Sequence, residues 1–381
     1  MSKILKGGVT TPKGFKANGL SAGIKKSGKT DLGLIVSVVP AVGAASFTKN
    51  SVKAAPVLVA QKHIRTSNTQ AFIVNSGNAN CFTGRFGLMY AEQTTKIIGR
   101  LLGIPKETVI VSSTGIIGKP LPFEKIKQAS PNLVKGLSST GGKKAAQAIL
   151  TTDLTLKELA VECTIGGKKV IIGGCAKGSG MIAPNMATML AFVTSDAAIS
   201  KAMLKESLRE AVDMSFNSIS VDGCMSTNDM VAIMANGQAG NKKITTKGKD
   251  YQIFTDALKI VCLDLAKKIV LDGEGATKFI EIKINGVSTE KLARKIGLMV
   301  ANSPLVKTAA FGSNPNWGRV AAAIGAMEIQ NISEKNLKIS FSPFDKKHIT
   351  INVSLDLGKA SSTVYTCDLS YDYVKINGAY N

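Results

Sequence analysis

Histidine is nearly absent from this chain: two in 381 residues, His63 and His348, and tryptophan occurs once. A Ser-His-Asp or Cys-His machine would have to recruit one of these two histidines, and neither lies near a nucleophile signature. An enzyme built on this sequence therefore takes its base from something else. The six cysteines (Cys81, Cys163, Cys175, Cys224, Cys262 and Cys367) form no CxxC pair, which argues against zinc and thioredoxin-type chemistry. No metal is expected, and the apolar or small neighbours of the cysteines predict buried free thiols. No run approaches the roughly 20 apolar residues that span a bilayer. The start, "MSKILKGGVTTPKGF", lacks the apolar centre of a secretory signal. The expectation is a cytoplasmic protein with no membrane partner. Acidic residues are also few, 26 against 48 basic, for a net charge of +22. The excess is mainly lysine, dispersed, with no arginine-rich stripe. A solvated lysine surface is the preferred reading over nucleic-acid binding, and a bias towards anionic small molecules stays open.

What is present is a globular composition, 44% hydrophobic and 19% charged with 37 glycines, in a chain long enough for two domains. Residues 88–103 have apolar residues at helical spacing and stop at Gly103 before Pro105. Residues 200–216 read as a helix capped by Ser200, with Leu204, Leu208 and Ala211 on one face. Residues 255–271 read as a second, with Leu258, Val261, Cys262, Leu265 and Ile269 inward. Residues 288–303 form a third helix near the C-terminus. Short strands are predicted at 108–114 and 168–174, at "ATKFIEIKING" and at "KKHITINVSLDLG". The mixture is an α/β or α+β protein with layered packing.

One glycine pattern fails as a dinucleotide site. "GSGMIA" (178–183) follows a strand, but Pro184 would fall inside the helix that a dinucleotide fingerprint needs. No organic cofactor is expected.

"AKGSGMIAPNMATMLAFVTSD" (176–196) raises a sharper question, because an apolar strand-like run begins on Thr188. Thr188 is either the first residue of a buried strand or a nucleophile exposed by a cut before it. A threonine whose own α-amine is free carries its own base, with a pKa of roughly 7.7–8.0 that desolvation lowers. "SSTGIIG" (112–118) is either a glycine turn or, at Thr114 and Gly115, a pair of donors for a developing oxyanion.

Together these strings resemble the ornithine acetyltransferase (glutamate N-acetyltransferase) family of arginine biosynthesis. The resemblance covers essentially the whole chain, through "GGVTTPKGFKANG", "FIVNSGNANCFTG", "SSTGIIGKPLP", "AILTTD", "KGSGMIAPNMATML", "SFNSISVDGCMSTNDMVAIMANG", "DGEGATKF", "FGSNPNWGRV" and "YDYVKINGAYN". It implies a precursor that cuts itself between Ala187 and Thr188, leaving an α chain (1–187) and a β chain (188–381). Thr188 then takes acetyl from N-acetylornithine and passes it to glutamate by ping-pong transfer. The implied oxyanion hole is Thr114 and Gly115. The implied substrate contacts are Thr151, Lys177, Thr188, Glu274 and Asn377, with Asn381 as a stand-in for the terminal threonine or serine that the family commonly carries a residue or so later. Lys177 would pair with an α-carboxylate, and Glu274 would accept from an ammonium group. Cys224 stands where the family usually carries an acid. The implied fold is a layered α/β/β/α sandwich (1–280) with a smaller C-terminal α+β domain (281–381). The implied assembly is an αβ unit paired into a heterotetramer. The resemblance leaves open whether acetyl-CoA is also a donor. An N-terminal-nucleophile aminopeptidase or amidase on the same scaffold is the alternative.

Overall fold

The computed structural model describes residues 2–66, 68–183 and 189–379. In chain order β1 (Lys3–Leu5), β2 (Phe15–Leu20) and the long β3 (Leu32–Phe47) precede α1 (Ala55–Thr66). Next come β4 (Thr69–Asn78), α2 (Gly84–Leu102), β5 (Val109–Ile116), α3 (Phe123–Lys135) and α4 (Gly142–Ala148). The hairpin β6 (Lys157–Ile165) and β7 (Lys168–Lys177) leads to β8 (Leu190–Ser195), α5 (Lys201–Met214), β9 (Met230–Ala235) and α6 (Lys249–Leu271). The last third holds β10 (Phe279–Val287), α7 (Glu290–Ala301), α8 (Pro304–Phe311) and α9 (Trp317–Gly325). It closes with β11 (Leu337–Phe341), β12 (His348–Leu355), β13 (Ala360–Cys367) and α10 (Tyr371–Gly378).

One strand makes two layers. The first part of β3 pairs antiparallel with β2 and β4, and Val42–Phe47 at its far end pairs antiparallel with β9. Between Val36 and Ala41 the β3–β4 register slips. Pro40 sits at that slip, where it has no N–H to give to a ladder. On one side lie β2, β3, β4 and β5; on the other β1, β6, β7, β8, β9 and the end of β3. Strand alternation then sorts the side chains. Phe72, Val74 and Ile110 face Leu190, Phe192, Met230 and Ala232 in a core between the layers. The intervening residues Ile73, Val109 and Val111 pack outward on Ile98 and Val59 of α2 and α1. Val193, Val231 and Ile233 pack outward with Leu208 of α5 and with Leu258, Val261 and Leu265 of α6. The order of layers is α/β/β/α. A second sheet, β11-β12-β10-β13, carries α7, α8 and α9 over a core of its own.

The helices form for legible reasons. Gly103 closes α2 in the left-handed region at φ 69°. Ser200 caps α5 by accepting from the N–H of Met203. All five residues read as inward on α6 are fully buried. Three expectations need correction. Helices α2 and α6 begin at Gly84 and Lys249, several residues before the periodic stretches read from sequence. Helix α7 is shorter than the 288–303 stretch read from sequence, with Thr289 as its cap accepting the N–H of Leu292. Cys224 is exposed, unlike the other five cysteines, because its segment wraps the Asp222 carboxylate, which accepts the Cys224 N–H at 3.1 Å. Among the described residues no helix is long and apolar enough to cross a membrane.

The rings of Phe72 and Phe192 meet across the two layers with centroids 5.3 Å apart. Phe192→Ala is expected to lower unfolding stability by about 3–5 kcal/mol, read from the shift in a urea transition. A loss below about 1 kcal/mol would mean that the interlayer core closes around the gap.

Candidate active site

Both layers bring strand ends to one place. In the first, β4 and β5 run parallel and finish together, with Ser76 opposite Thr114 and Gly77 opposite Gly115. In the second, the last residue of β7, Lys177, pairs with Leu190 at the start of β8, and Leu190 pairs with Met230 at the start of β9. Asn228, just before β9, joins the layers. Its Nδ2 donates to the carbonyls of Ala79 (2.6 Å) and Ser113 (2.9 Å). Thr114 is buried, and Gly115 has φ +133°. A Cβ on Gly115 would lie 2.4 Å from the Gly77 carbonyl carbon, so the strand ends can meet this closely only with glycine there.

Three loops close the site from the side, and one buried charge cluster holds them. The Lys157 ammonium lies 2.8 Å from Asp153 and 2.5 Å from Asp272, with all three side chains essentially out of water. Asp153 also accepts the N–H of Gly178 at 2.7 Å and of Thr151 at 2.9 Å. Asp272 accepts the N–H of Leu154 at 3.0 Å and of Thr155 at 3.2 Å. Its carbonyl takes the Ser179 hydroxyl at 2.6 Å. Residues 151–155, 177–179 and 272–274 are thereby fixed to one another. Burial pushes the Asp153 carboxyl up. Lys177, Lys157 and the Gly178 N–H outweigh it and bring the value down to about 2.

Glu274 stands on this frame. Oε1 accepts from the Thr152 hydroxyl at 2.7 Å and Oε2 from Asn377 Nδ2 at 2.9 Å, so α10 reaches back into the sandwich. Gly180 makes room for it, since a Cβ there would lie 2.1 Å from Oε2. Asp222 ties the neighbouring segment down by accepting the N–H groups of Met181 (2.6 Å) and Ile182 (2.9 Å) and the Tyr373 hydroxyl (3.3 Å).

One pocket results, lined by Thr114, Gly115, Ile117, Thr151, Thr152, Lys177, Gly180, Met181, Ser226, Asn228, Glu274 and Asn377. Six residues named from sequence (Thr114, Gly115, Thr151, Lys177, Glu274 and Asn377) meet here. Ala187, Thr188 and Asn381 lie outside the described residues. Lys177 is buried yet makes no hydrogen bond or ion pair with any described residue. Its charge is opposed by burial, which lowers its pKa, and supported at longer range by Asp153, Asp229 and Glu274. Thr152, Ser226 and Asn228 were missed. For Ser226 and Asn228 the signal was the polar run Ser226-Thr227-Asn228-Asp229 directly ahead of the all-apolar β9, a strand start loaded with hydrogen-bonding groups. Neither histidine lines the pocket: His63 Nδ1 bonds the Val109 carbonyl at 2.9 Å, and His348 is exposed against Phe279. Among the described residues no group of three or more His, Cys, Asp or Glu could hold a metal.

A four-layered sandwich with a polar cleft at the shared ends of its sheets defines an enzyme of the α/β/β/α class. The ArgJ family model matches residues 16–381. The arginine biosynthesis bifunctional protein ArgJ of Symbiobacterium thermophilum is 46% identical, covering 99% of each chain. That of Gloeobacter violaceus is also 46% identical, covering 98% of each. A crystal structure of ArgJ from Bacillus halodurans is 43% identical over 49% of this chain and 98% of the other, with a TM-score of 0.47. The chain belongs to the ArgJ family and is an acyltransferase of arginine biosynthesis.

The charge cluster predicts two outcomes. Asp153 sits below the ordinary carboxylate value of about 3.9, so its contribution is complete above that pH and is lost as pH falls towards 2. It amounts to about 2 kcal/mol. Lys157→Met leaves two carboxylates buried without their cation and is expected to cost about 3–5 kcal/mol at pH 7. The penalty should shrink at pH 3 as the carboxyls protonate. Urea transitions of both proteins at the two pH values check this, and a penalty independent of pH would contradict it.

Proposed function

We propose that this enzyme moves the acetyl group of N2-acetyl-L-ornithine to L-glutamate through an acetyl-threonine at position 188. Thr188 becomes a chain terminus when its hydroxyl attacks the carbonyl of Ala187 and the resulting ester is hydrolysed, giving chains 1–187 and 188–381. Core residues from both sides of the cut, such as Ile172 and Ala176 with Ala191 and Val193, pack in one cluster, which supports two chains held as one body. The freed α-amine is the base that a pocket lined by neither histidine otherwise lacks.

The single observation that carries the reading is the pairing of Lys177 and Glu274 in one pocket with Thr114 and Gly115. An acetylated diamino acid brings a carboxylate for Lys177 and an ammonium for Glu274. Its acetyl oxygen then becomes the oxyanion, taken by the Thr114 hydroxyl and the Gly115 N–H. Ornithine leaves, and glutamate enters the same pocket with its α-carboxylate on Lys177. Its amine attacks the acetyl-threonine.

The test is kinetic. Initial rates at several glutamate concentrations should give parallel double-reciprocal lines, as a ping-pong cycle requires. Thr188→Ala should remain one full-length chain on a denaturing gel. Thr114→Ala should lose about 10²–10³ in kcat. Intersecting lines, or two fragments from Thr188→Ala, would contradict the proposal. Ornithine release at full rate without glutamate would favour the aminopeptidase or amidase alternative.

A specific observation favours acetyl-CoA as an additional donor. A cavity of about 650 Å³ shares Thr151 and Thr152 with the pocket and is lined by Lys25, Lys26, Lys119 and Lys125 with no acidic residue. Lys26 and Lys119 are exposed and make no ion pair with described residues. Four ammonium groups beside a site for a small zwitterion suit the phosphates of a nucleotide-bearing donor. Lys26→Glu with Lys119→Glu should raise KM for acetyl-CoA about tenfold, a loss of about 1.4 kcal/mol. KM for N-acetylornithine should hold within about twofold. Equal effects on both donors would contradict this use of the cavity.

A further inference from the structure

Ornithine and glutamate make opposite demands on one end of the same pocket. The side-chain nitrogen of ornithine and the side-chain oxygens of glutamate lie equally many bonds from the α-carbon. With the α-carboxylate on Lys177, the first brings an ammonium to Glu274 and the second brings a carboxylate. Two carboxylates in contact repel. Both Glu274 oxygens already accept hydrogen bonds, Oε1 from Thr152 and Oε2 from Asn377. Among the described residues that line the pocket, Lys177 is the one cation. The side chain of glutamate needs a second.

Thr151 and Thr152 also line the lysine-rich cavity beside the pocket. Three of its lysines, Lys26, Lys119 and Lys125, are exposed, whereas Lys25 is half-buried. Its place is built. Asp31, fully buried at the head of β3, accepts the N–H groups of Ala22 (2.6 Å), Ile24 (2.6 Å) and Lys25 (2.9 Å). The Asp31 carbonyl accepts the N–H of Ser76 at 2.8 Å, which clamps the β2–β3 loop to the end of β4. The Lys25 stem lies on Gly77, where a Cβ would stand 3.0 Å from its Cγ, and Gly77 is the register partner of Gly115. The Lys25 ammonium donates to the Thr30 carbonyl at 2.8 Å and has no carboxylate within ion-pair distance among the described residues. An ammonium has three donors to offer.

We infer that Lys25 receives the γ-carboxylate of the acceptor glutamate and sets the acceptor specificity of the enzyme: the donor's ammonium turns to Glu274, and the acceptor's carboxylate turns across Thr152 to Lys25. The inference rests on the proposed transfer to glutamate. Burial brings the pKa of Lys25 down to about 8, Asp31 and Asp153 pull it up, and Lys177 and Lys29 push it down. Lys26, Lys119 and Lys125 share its cavity, and Glu274 stands beyond Thr152. The cation is therefore present below about pH 8 and is lost as pH rises through that value. A carboxylate bound beside it holds the proton on.

Glutamine has the shape of glutamate without the charge and reacts through the same α-amine group. The ratio of their kcat/KM values as acetyl acceptors therefore reads the side-chain contact. The wild type should prefer glutamate, and the preference should fall about tenfold between pH 7 and pH 9. Lys25→Met keeps the stem and removes the charge. At pH 7 it should lose about 10–100-fold of the preference and show no such fall, while KM for N-acetylornithine stays within about twofold. Lys25→Arg, charged throughout this range, should hold its preference at both pH values. A preference that Lys25→Met leaves intact would overturn the inference. A wild-type preference that does not change with pH would overturn it too, and that measurement needs no variant. A wild type that makes no N-acetylglutamate would overturn both this inference and the proposed function. One that makes it with a pH-independent preference would overturn the role of Lys25 alone.

Discussion

Lys157 is fully buried between two carboxylates, and the shape of the pocket depends on that. Its ammonium draws Asp153 and Asp272 together, and the carboxylates use their remaining lone pairs on the backbone of residues 151, 154, 155 and 178. Three loops far apart in sequence become one wall. An ion cluster of this kind adds little net stability, because desolvation offsets its attraction. Its effect is geometric. Thr152, Lys177 and Glu274 project from the loops it fixes.

The frame also explains why, of the two buried lysines beside the pocket, one is neutralised at close range and the other is not. Lys157 has two acidic partners within 3 Å, whereas Lys177 has none within ion-pair distance among the described residues. Asp153 lowers the cost of burying Lys177 by acting from a distance. The wall is therefore charged towards the pocket and balanced behind it. Opposite stands the Thr114–Gly115 strand end, held by Asn228 across the interlayer core. A site assembled from both layers asks that the layers not slide, and the Phe72–Phe192 contact and its neighbours supply that rigidity.

Much of the fold was legible because local chemistry and tertiary demand agree. Ser200 and Gly103 bound their helices as their types require, and the inward face of α6 was plain from its spacing. The starts of α2 and α6 were not legible, because Gly84–Gly87 and Lys249–Gln252 carry no apolar period and become helical by continuation. The bend of β3 was hidden for a different reason: Pro40 marks a break, but only the pairing partners show that one strand serves two layers. Site residues inside long specific strings were legible as a group. Thr152, Asn228 and Asp229 were not singled out, since short polar residues before a strand serve equally as turns. Their importance comes from what folding places opposite them.

The central claim is that one covalent site, the threonine at position 188, holds the acetyl group between donor and acceptor. Mass analysis of the separated chains after incubation with N-acetylornithine alone tests it most directly. The account predicts one added acetyl group on chain 188–381, located by peptide mapping to Thr188 and removed when glutamate is added. An unmodified chain, under conditions in which the complete mixture turns over, would contradict it.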